Sequence, residues 1–394
     1  MSSVDGVPTL TAAAVLALRD PLMIDLRSPG EFAADHVPGA HNVPLLDDEE
    51  RALVGLLYRR ESPEAAFAEA RGRVAASASR IVDSIASLAQ WAAPRVDVAA
   101  IVEELSRDGI AAMDRRVAGL PCVQSPERPV VLCCWRGGLR SRSVTALVRA
   151  LGLERAVAVE GGYKRCRTEL LARLSSFAPP RTYVLHGLTG VGKTLVVRAL
   201  ERLRPAWTLD LELEAGHRSS LLGSAGLQPA SQKQFENRIA QRVARGFPAG
   251  LMVVEGESRK VGDVIVPSPV WHALDKGVHL DLVTTQERRI DVLIEDYLAS
   301  TESRRQLRES LVALTERIAD AWADPLVPLL DAGRERELVA LLLERWYDPR
   351  YRHSQQGRRF DATFDSTDPE RCASELADWI ARHAAGCSLD SAQP

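Results

Sequence analysis

The 394-residue sequence contains no run of eighteen apolar residues, so no stretch is long enough to cross a bilayer as a helix. Its first residues, Met1-Ser2-Ser3-Val4-Asp5, lack the basic and apolar regions of a secretory signal. These absences predict a cytoplasmic protein with no membrane attachment. Cysteine is sparse: Cys122, Cys133, Cys134, Cys166, Cys372 and Cys387 are scattered, and Cys133 and Cys134 are adjacent instead of being spaced as a metal-binding pair. Neither a disulfide framework nor a zinc site is indicated. An excess of one charge is also missing, and a formal net charge of −3 neither points to nucleic acid nor excludes it, because a basic face can sit on a near-neutral protein. The length exceeds that of a usual single core, so two domains are expected.

What is present is concentrated in two loops. The first lies within Val130 to Ser143, V-V-L-C-C-W-R-G-G-L-R-S-R-S. An apolar run from Val130 to Cys133 reads as a buried strand, and Val144, Leu147, Val148 and Leu151 follow at helical spacing. The loop between them is headed by Cys134 and carries Trp135, Arg136, Gly137, Gly138 and Arg140. In a strand, loop, helix unit the loop amides and the helix N-terminus favour a negative charge at the centre. Such surroundings lower a cysteine pKa from about 8.5 to roughly 3.5–7.5, which makes the thiolate a nucleophile at neutral pH. Gly137 and Gly138 let the backbone curl, and the two arginines add charge-assisted donors. Cys133 continues the apolar run and reads as a small core residue. By itself this loop suits sulfur transfer and phosphate chemistry equally.

Upstream, a helix is expected from Thr11 through Leu18 and a strand from Leu22 to Leu26. Ser28-Pro29-Gly30-Glu31 has the form of an N-cap, a first-turn proline and a capping-box glutamate. A short strand is expected near Ala40 to Val43, stopped by Pro44. The words D-L-R-S-P-G-E-F and V-P-G-A-H-N-V-P resemble the rhodanese domain, whose catalytic cysteine heads a loop like that at Cys134. From about 47 to 113 the chain is rich in alanine, arginine and glutamate, which predicts a helical insertion, with Pro94 closing one helix. Its arginines suit either solvent or RNA phosphates. Gly152 is the expected C-cap after the loop's helix, and Ala156 to Val159 the next strand. Glu160-Gly161-Gly162-Tyr163-Lys164 follows.

Residues 175–181, with Pro179-Pro180, read as a linker between a domain over 1–174 and another over 182–394. The second loop comes directly after it. Tyr183 to His186 is an expected strand, and Gly187-Leu188-Thr189-Gly190-Val191-Gly192-Lys193-Thr194 matches the phosphate-binding loop G-x-x-x-x-G-K-T, with a helix to follow. Backbone amides including those of Gly187, Gly190 and Gly192 would wrap a diphosphate or triphosphate, Lys193 would reach its outer oxygens, and Thr194 would hold Mg²⁺. The motif identifies phosphates, not the group attached to them. Downstream, Trp207 to Leu211 and Leu251 to Val254 read as strands, Ser231 to Arg245 as a helix, and Val278 to Val283 as a further strand. Asp210, Glu212, Glu255 and Glu257, with Arg259, are candidates for positioning a metal or substrate, because an acid just past such a strand serves that role in phosphate-loop proteins. Arg345-Trp346-Tyr347, Arg350-Tyr351-Arg352-His353 and Arg358-Arg359-Phe360 mix cations with stacking surfaces, a combination suited to RNA and equally to ordinary packing.

The two loops in this order, together with D-L-E at 210–212, H-R at 217–218, Q-P at 228–229, Q-K-Q-F-E-N at 232–237 and E-S-R-K-V-G at 257–262, resemble the bacterial tRNA 2-selenouridine synthase family. Ser219 stands where that pattern has glycine, and Leu222-Gly223 where it has Phe-Gly. The resemblance implies an α/β protein made of a rhodanese-like domain with a helical insertion and a P-loop NTPase-like α/β domain with C-terminal helices. It implies replacement of sulfur by selenium at the 2-position of wobble 2-thiouridine in tRNA, with selenophosphate as donor, by way of an S-geranyl intermediate made from geranyl diphosphate. It implies no tightly bound cofactor, with Mg²⁺ as the candidate ion. In this reading Lys193 and its loop bind the diphosphate, while Cys134, Arg136 and Arg140 handle selenium, with Cys134 carrying it as a selanylcysteine. A nucleotide-dependent sulfurtransferase acting on RNA, a cysteine phosphatase and a non-catalytic RNA-binding adaptor are the alternatives.

Overall fold

A computed structural model describes residues 7–107, 128–220, 223, 226–298, 300–318, 321–354 and 357–390. Residues 108–113, at the end of the expected insertion, lie outside this set, as do Cys122 and Leu222. The chain divides into two compact units, Met1–Arg173 and Leu174–Pro394.

The first unit is built on a parallel sheet ordered β1-β5-β4-β2-β3, where β1 is Thr9–Leu10, β2 Leu22–Asp25, β3 His41–Asn42, β4 Val130–Cys133 and β5 Ala156–Val159. Its central strands are apolar at successive positions because both faces are covered. Val130 and Leu132 pack to one side with Ile24, Ile81 and Ile85, while Val131 and Cys133 pack to the other with Met23, Tyr163 and Cys166. The helices start where capping chemistry dictates. Thr11 accepts from Ala14 N at 3.2 Å to open α1 (Ala12–Ala17), and the Ser28–Glu31 capping box opens α2 (Pro29–Ala34). A second capping box, Asp47 with Glu50, opens α3 (Asp48–Arg60). Helices α3, α4 (Pro63–Ala89) and α5 (Val98–Ser106) occupy the segment between β3 and β4. Pro94 does not end α4: the helix stops at Ala89, where Gln90 turns left-handed.

The second unit has a parallel sheet ordered β12-β11-β6-β8-β7, with β6 Arg181–His186, β7 Thr208–Leu209, β8 Leu251–Glu255, β11 Val278–Val283 and β12 Ala362–Asp365; β9 (Lys260–Val261) and β10 (Val264–Ile265) form a separate antiparallel pair. Tyr183, Leu185 and Val253 of the sheet pack with Val196, Val197 and Leu200 of the helix Lys193–Leu203 and with Leu376 and Ile380 of the C-terminal helix. Two expectations are corrected. The strand predicted over Trp207 to Leu211 is only Thr208–Leu209, because the Asp210 side chain accepts from Leu213 N at 2.7 Å and starts a short helix, Leu211–Ala215. Glu255 is the last residue of β8, not the first loop residue beyond it.

Candidate functional sites

In the first unit Cys134 stands immediately past the C-terminal end of β4, at the head of the helix Leu139–Ala150. Two strips of backbone hold its loop in place. Tyr163 N donates to Cys134 O at 2.8 Å and Lys164 N to Trp135 O at 3.0 Å. Gly137 and Gly162 both have positive φ, and a Cβ on Gly162 would lie 2.2 Å from Cys134 O and 2.3 Å from Gly137 N. Only glycine permits this approach, which explains why a Gly-Gly-Tyr-Lys segment faces the Cys134 loop. The Cys134 sulfur is 3.3 Å from Ser141 Oγ and is 2% exposed as a residue. Arg136, Gly138 and Arg140 line a cleft with Cys134 and Trp135.

Beneath the loop lies an ion network that pattern reading overlooked. Arg27 is fully buried and donates from Nη2 to Asp25 Oδ2 at 2.7 Å and to Asp35 O at 2.6 Å. Its guanidinium sits 3.9 Å from the Tyr163 ring centroid, and Tyr163 Oη donates to Asp35 Oδ2 at 2.5 Å. Burial opposes the Arg27 charge, but Asp25 outweighs it and the pKa ends raised. The network ties the D-L-R strand end to the Gly-Gly-Tyr-Lys segment that supports Cys134. Burial, with Asp25 adding to it, raises the Cys133 thiol well above the ordinary range, and burial pushes Cys166 up to about 12. Both remain inert thiols in the core.

In the second unit the 187–194 loop joins β6 to its helix. Lys193 Nζ donates to Gly187 O and to Tyr351 Oη, each at 3.2 Å. Burial would lower the Lys193 pKa; Tyr351, Glu257, Glu212 and Glu255 more than offset it, and the ammonium is held. Thr194 Oγ1 donates to Glu212 Oε2 at 3.0 Å. Burial first, then Glu257, raises Glu212 to about 8. Glu255 is fully buried, and neither of its oxygens has a hydrogen-bond partner; burial and then Glu212 and Asp210 raise its pKa well above the ordinary value. Asp210, mostly buried, is raised by burial although Arg198 sits 3.5 Å away. Lys193, Thr194, Glu212 and Glu257 line one small pocket, with Glu255 and Asp210 outside its lining. Arg259 is exposed and is not among the lining residues, so it does not join the others.

Among the described residues no group of three or more His, Cys, Asp or Glu is arranged to hold a metal unaided. Mg²⁺ needs no such cage, since it takes one or two carboxylates together with substrate phosphates and water. Thr194 and Glu212, which line the pocket, fit that role, with the orphaned Glu255 carboxylate buried outside the lining.

The basic and aromatic tail is largely occupied with this unit. Tyr351 rests on Lys193, Arg350 stacks on Trp346 at 3.3 Å, and Phe360 lies 5.6 Å from the His186 ring. His186, at the end of β6, accepts from Arg358 at 2.9 Å; burial, then Arg358 and His279, lower it to about 3. Arg289 donates to Thr189 O at 2.8 Å and forms a two-pronged pair with Asp348, so the helix Asp348–Ser354 is fastened to the phosphate loop. Ser219 has a positive φ of 20° and a buried hydroxyl without a partner, and it lines the pocket beside Arg218, whose guanidinium lies over Tyr297. Tyr351, Arg289 and Tyr297 were not singled out by motif, and only the clustering of arginine and aromatics near 345–360 hinted at the first.

The family model for the tRNA 2-selenouridine synthase AAA domain matches residues 180–385. The tRNA 2-selenouridine synthase of Cupriavidus necator is 30% identical over 392 residues, covering 92% of this chain and 95% of that protein. Those of Nitrosomonas europaea, 30% identical over 79% of this chain and 72% of that protein, and Chromohalobacter salexigens, 28% identical over 93% and 96%, match similarly.

Proposed function

Since the chain belongs to the tRNA 2-selenouridine synthase family, we propose that its two loops divide a two-step replacement of sulfur by selenium at the 2-position of a wobble 2-thiouridine in tRNA. In this reading the first unit is a rhodanese-like domain, with the cysteine at the end of the central strand β4 and a helical insertion, and the second is the phosphate-loop domain. Residues 176–180, between the helix Gly162–Ser175 and β6, act as the linker, one residue shorter at each end than the expected 175–181. A tRNA substrate makes the cytoplasm the place of action.

In the first step the phosphate loop, with Lys193 against the outer oxygens, holds the diphosphate of geranyl diphosphate. The thiouridine sulfur attacks C1 of the geranyl group, the C1–O bond breaks, diphosphate departs, and the N3 proton is lost. Mg²⁺, when bound, would neutralise the leaving diphosphate. Alkylation turns a thiocarbonyl into a thiolate leaving group and makes C2 more electrophilic. In the second step selenium, at the selenide level in selenophosphate, adds to C2 and the C2–S bond breaks, releasing geranylthiol, while water attacks phosphorus, breaks the P–Se bond and leaves phosphate. No oxidant or reductant is consumed when selenium passes at that level. A selanylcysteine at Cys134 would hold zero-valent selenium, whose formation from selenide-level selenium needs a two-electron oxidant and whose return needs a thiol, so selenium reaches C2 from selenophosphate without residing on Cys134. Arg136 and Arg140 supply the cationic surroundings that bring an anionic selenium donor to Cys134.

The observation that supports this reading is a pair of loops that each follow a buried parallel strand and open a helix, one beginning at Cys134 and one ending at Lys193 and Thr194. Mass spectrometry of tRNA nucleosides tests it, after incubating 2-thiouridine tRNA with geranyl diphosphate and selenophosphate. Wild type should give geranylated and selenated uridine. Lys193→Ala should lower geranylation by about 10²–10³-fold, the usual effect of removing one donor to a developing charge, and Cys134→Ala should accumulate the geranylated nucleoside. Untouched 2-thiouridine with wild type and both donors would refute it in favour of a nucleotide-dependent sulfurtransferase.

A further inference from the structure

The selenation step as read above, on which this inference rests, requires the geranyl chain to lie beside Cys134. The departing sulfur is one bond from C2, the atom that selenium attacks, so the first carbons of the chain sit next to wherever selenium is delivered.

The surface around Cys134 is apolar. One side of a cleft of about 830 Å³ is formed by Cys134, Trp135 and Leu139, and the other by Val54 and Tyr58 of α3 with Ala66 and Phe67 of α4. This volume is within the range of small-molecule sites. Helix α3 carries Leu53, Val54, Leu56, Leu57 and Tyr58, yet none of its residues is buried. A helix of this kind ordinarily buries its apolar stripe. A second recess of about 110 Å³ shares Leu45, Phe67, Ala70 and Leu139 with the cleft and runs on between Val74, Val102 and Leu147. Neither a pyrimidine ring nor selenophosphate has apolar surface to match such a channel. A branched alkenyl chain does, and its burial there removes apolar surface from water. Arg51, Arg59, Arg136 and Arg140 line the same cleft, where they suit the phosphates flanking the modified nucleotide.

We propose that the cleft between α3, α4 and the Cys134 loop is the site for the ten-carbon alkenyl chain of the prenylated nucleoside, with its tail directed into the recess beneath α4. The selectivity for a prenyl thioether over a smaller one then resides in the first unit.

Gly55 offers a clean test. It lies inside α3 and lines the cleft, and a Cβ built on it meets nothing within 4 Å. A side chain at Gly55 therefore starts from open space on the cleft wall, so Gly55→Trp places an indole where the chain would lie, and loss of an interior helical glycine favours the helix. Gly72 of α4 is equally open but does not line the cleft, so Gly72→Trp is the control. Initial selenation rates of the full chain are measured with selenophosphate on tRNA bearing S-geranyl- or S-methyl-2-thiouridine. Wild type should prefer the geranyl substrate. Gly55→Trp should lower the geranyl-to-methyl ratio about tenfold or more, the effect of excluding roughly two methylenes from an apolar pocket, while Gly72→Trp keeps the wild-type ratio. A Gly55→Trp protein with a cooperative melt and an unchanged ratio would overturn the pocket alone, as would an equal loss in Gly72→Trp. Wild type that selenates unmodified 2-thiouridine tRNA but not geranylated tRNA would overturn the intermediate itself, and the pocket with it.

Discussion

The two loops are alike in plan and opposite in condition. Each follows a buried parallel strand and opens a helix, yet the Cys134 loop faces an apolar cleft of about 830 Å³ lined by arginines, whereas the phosphate loop faces a pocket of about 70 Å³ lined by Glu212 and Glu257. At the first, the buried charges beneath the site are paired: Arg27 lies between Asp25 and Asp35, although its Nη1, 3.6 Å from Asp35 Oδ1, makes no hydrogen bond, and Tyr163 donates to Asp35. At the second they are mismatched, with Glu255 unpartnered and Lys193 occupied by Tyr351. A site whose buried charges are paired and whose cleft is open keeps its shape without a further partner. One that is crowded with carboxylates and closed on its own lysine is completed by what binds, since phosphates and a cation would supply the missing partners.

The largest effect is expected at Cys134. Cys134→Ala should lower selenation about a thousandfold or more, measured by single-turnover conversion of geranylated tRNA, and a loss below tenfold would make the loop a binding site that does not need its cysteine. Next comes the backbone contact beneath it. Gly162→Ala forces a Cβ onto Cys134 O and should destabilise the first unit by about 2–4 kcal/mol, read by denaturant unfolding, with the second unit's transition unmoved. If Gly162→Ala melts like wild type, the two glycine segments are not in contact in solution.

The crowded site carries a pH signature. Glu212 titrates near 8 in the folded chain against an ordinary 4.5, so across that window the folded state keeps a proton that the unfolded state has released. Stability must therefore fall as pH rises from 4.5 to 8, because the unfolded state then binds fewer protons. Glu212→Gln should flatten this fall in melting temperature measured without ligand, and an unchanged slope would show that Glu212 is ionised and paired. The smallest expected effect belongs to Tyr351→Phe. Freeing Lys193 of one hydrogen bond should tighten inorganic diphosphate binding by about two- to tenfold, measured by calorimetry. Weaker binding would instead place the hydroxyl on the ligand.

Local words made both loops legible. The strand from Val130 to Cys133, the loop it feeds, and the phosphate loop with its flanking β6 and helix are each encoded within about fifteen contiguous residues, where turn chemistry and apolar runs decide the backbone. Asp210 misled because an acid after an apolar pair marks a strand end and a helix cap equally well, and the cap prevailed through its bond to Leu213 N. What no local word carries is partnership across the chain. Arg27 meets Tyr163, and Arg289 meets Asp348, only because separate strands and helices converge. The exposed apolar face of α3 is another example: its sequence reads as an ordinary amphipathic helix, and only the packing of its neighbours leaves that face on a cleft.

The division between the two loops is tested most directly by bypassing the first step. Geranylated 2-thiouridine tRNA is given to wild type, Lys193→Ala and Cys134→Ala with selenophosphate alone, and the rate of 2-selenouridine formation is followed by mass spectrometry. The account predicts that Lys193→Ala selenates at close to the wild-type rate while Cys134→Ala fails. Equal loss in both variants, with both proteins folded, would contradict it and place the two reactions at one shared site.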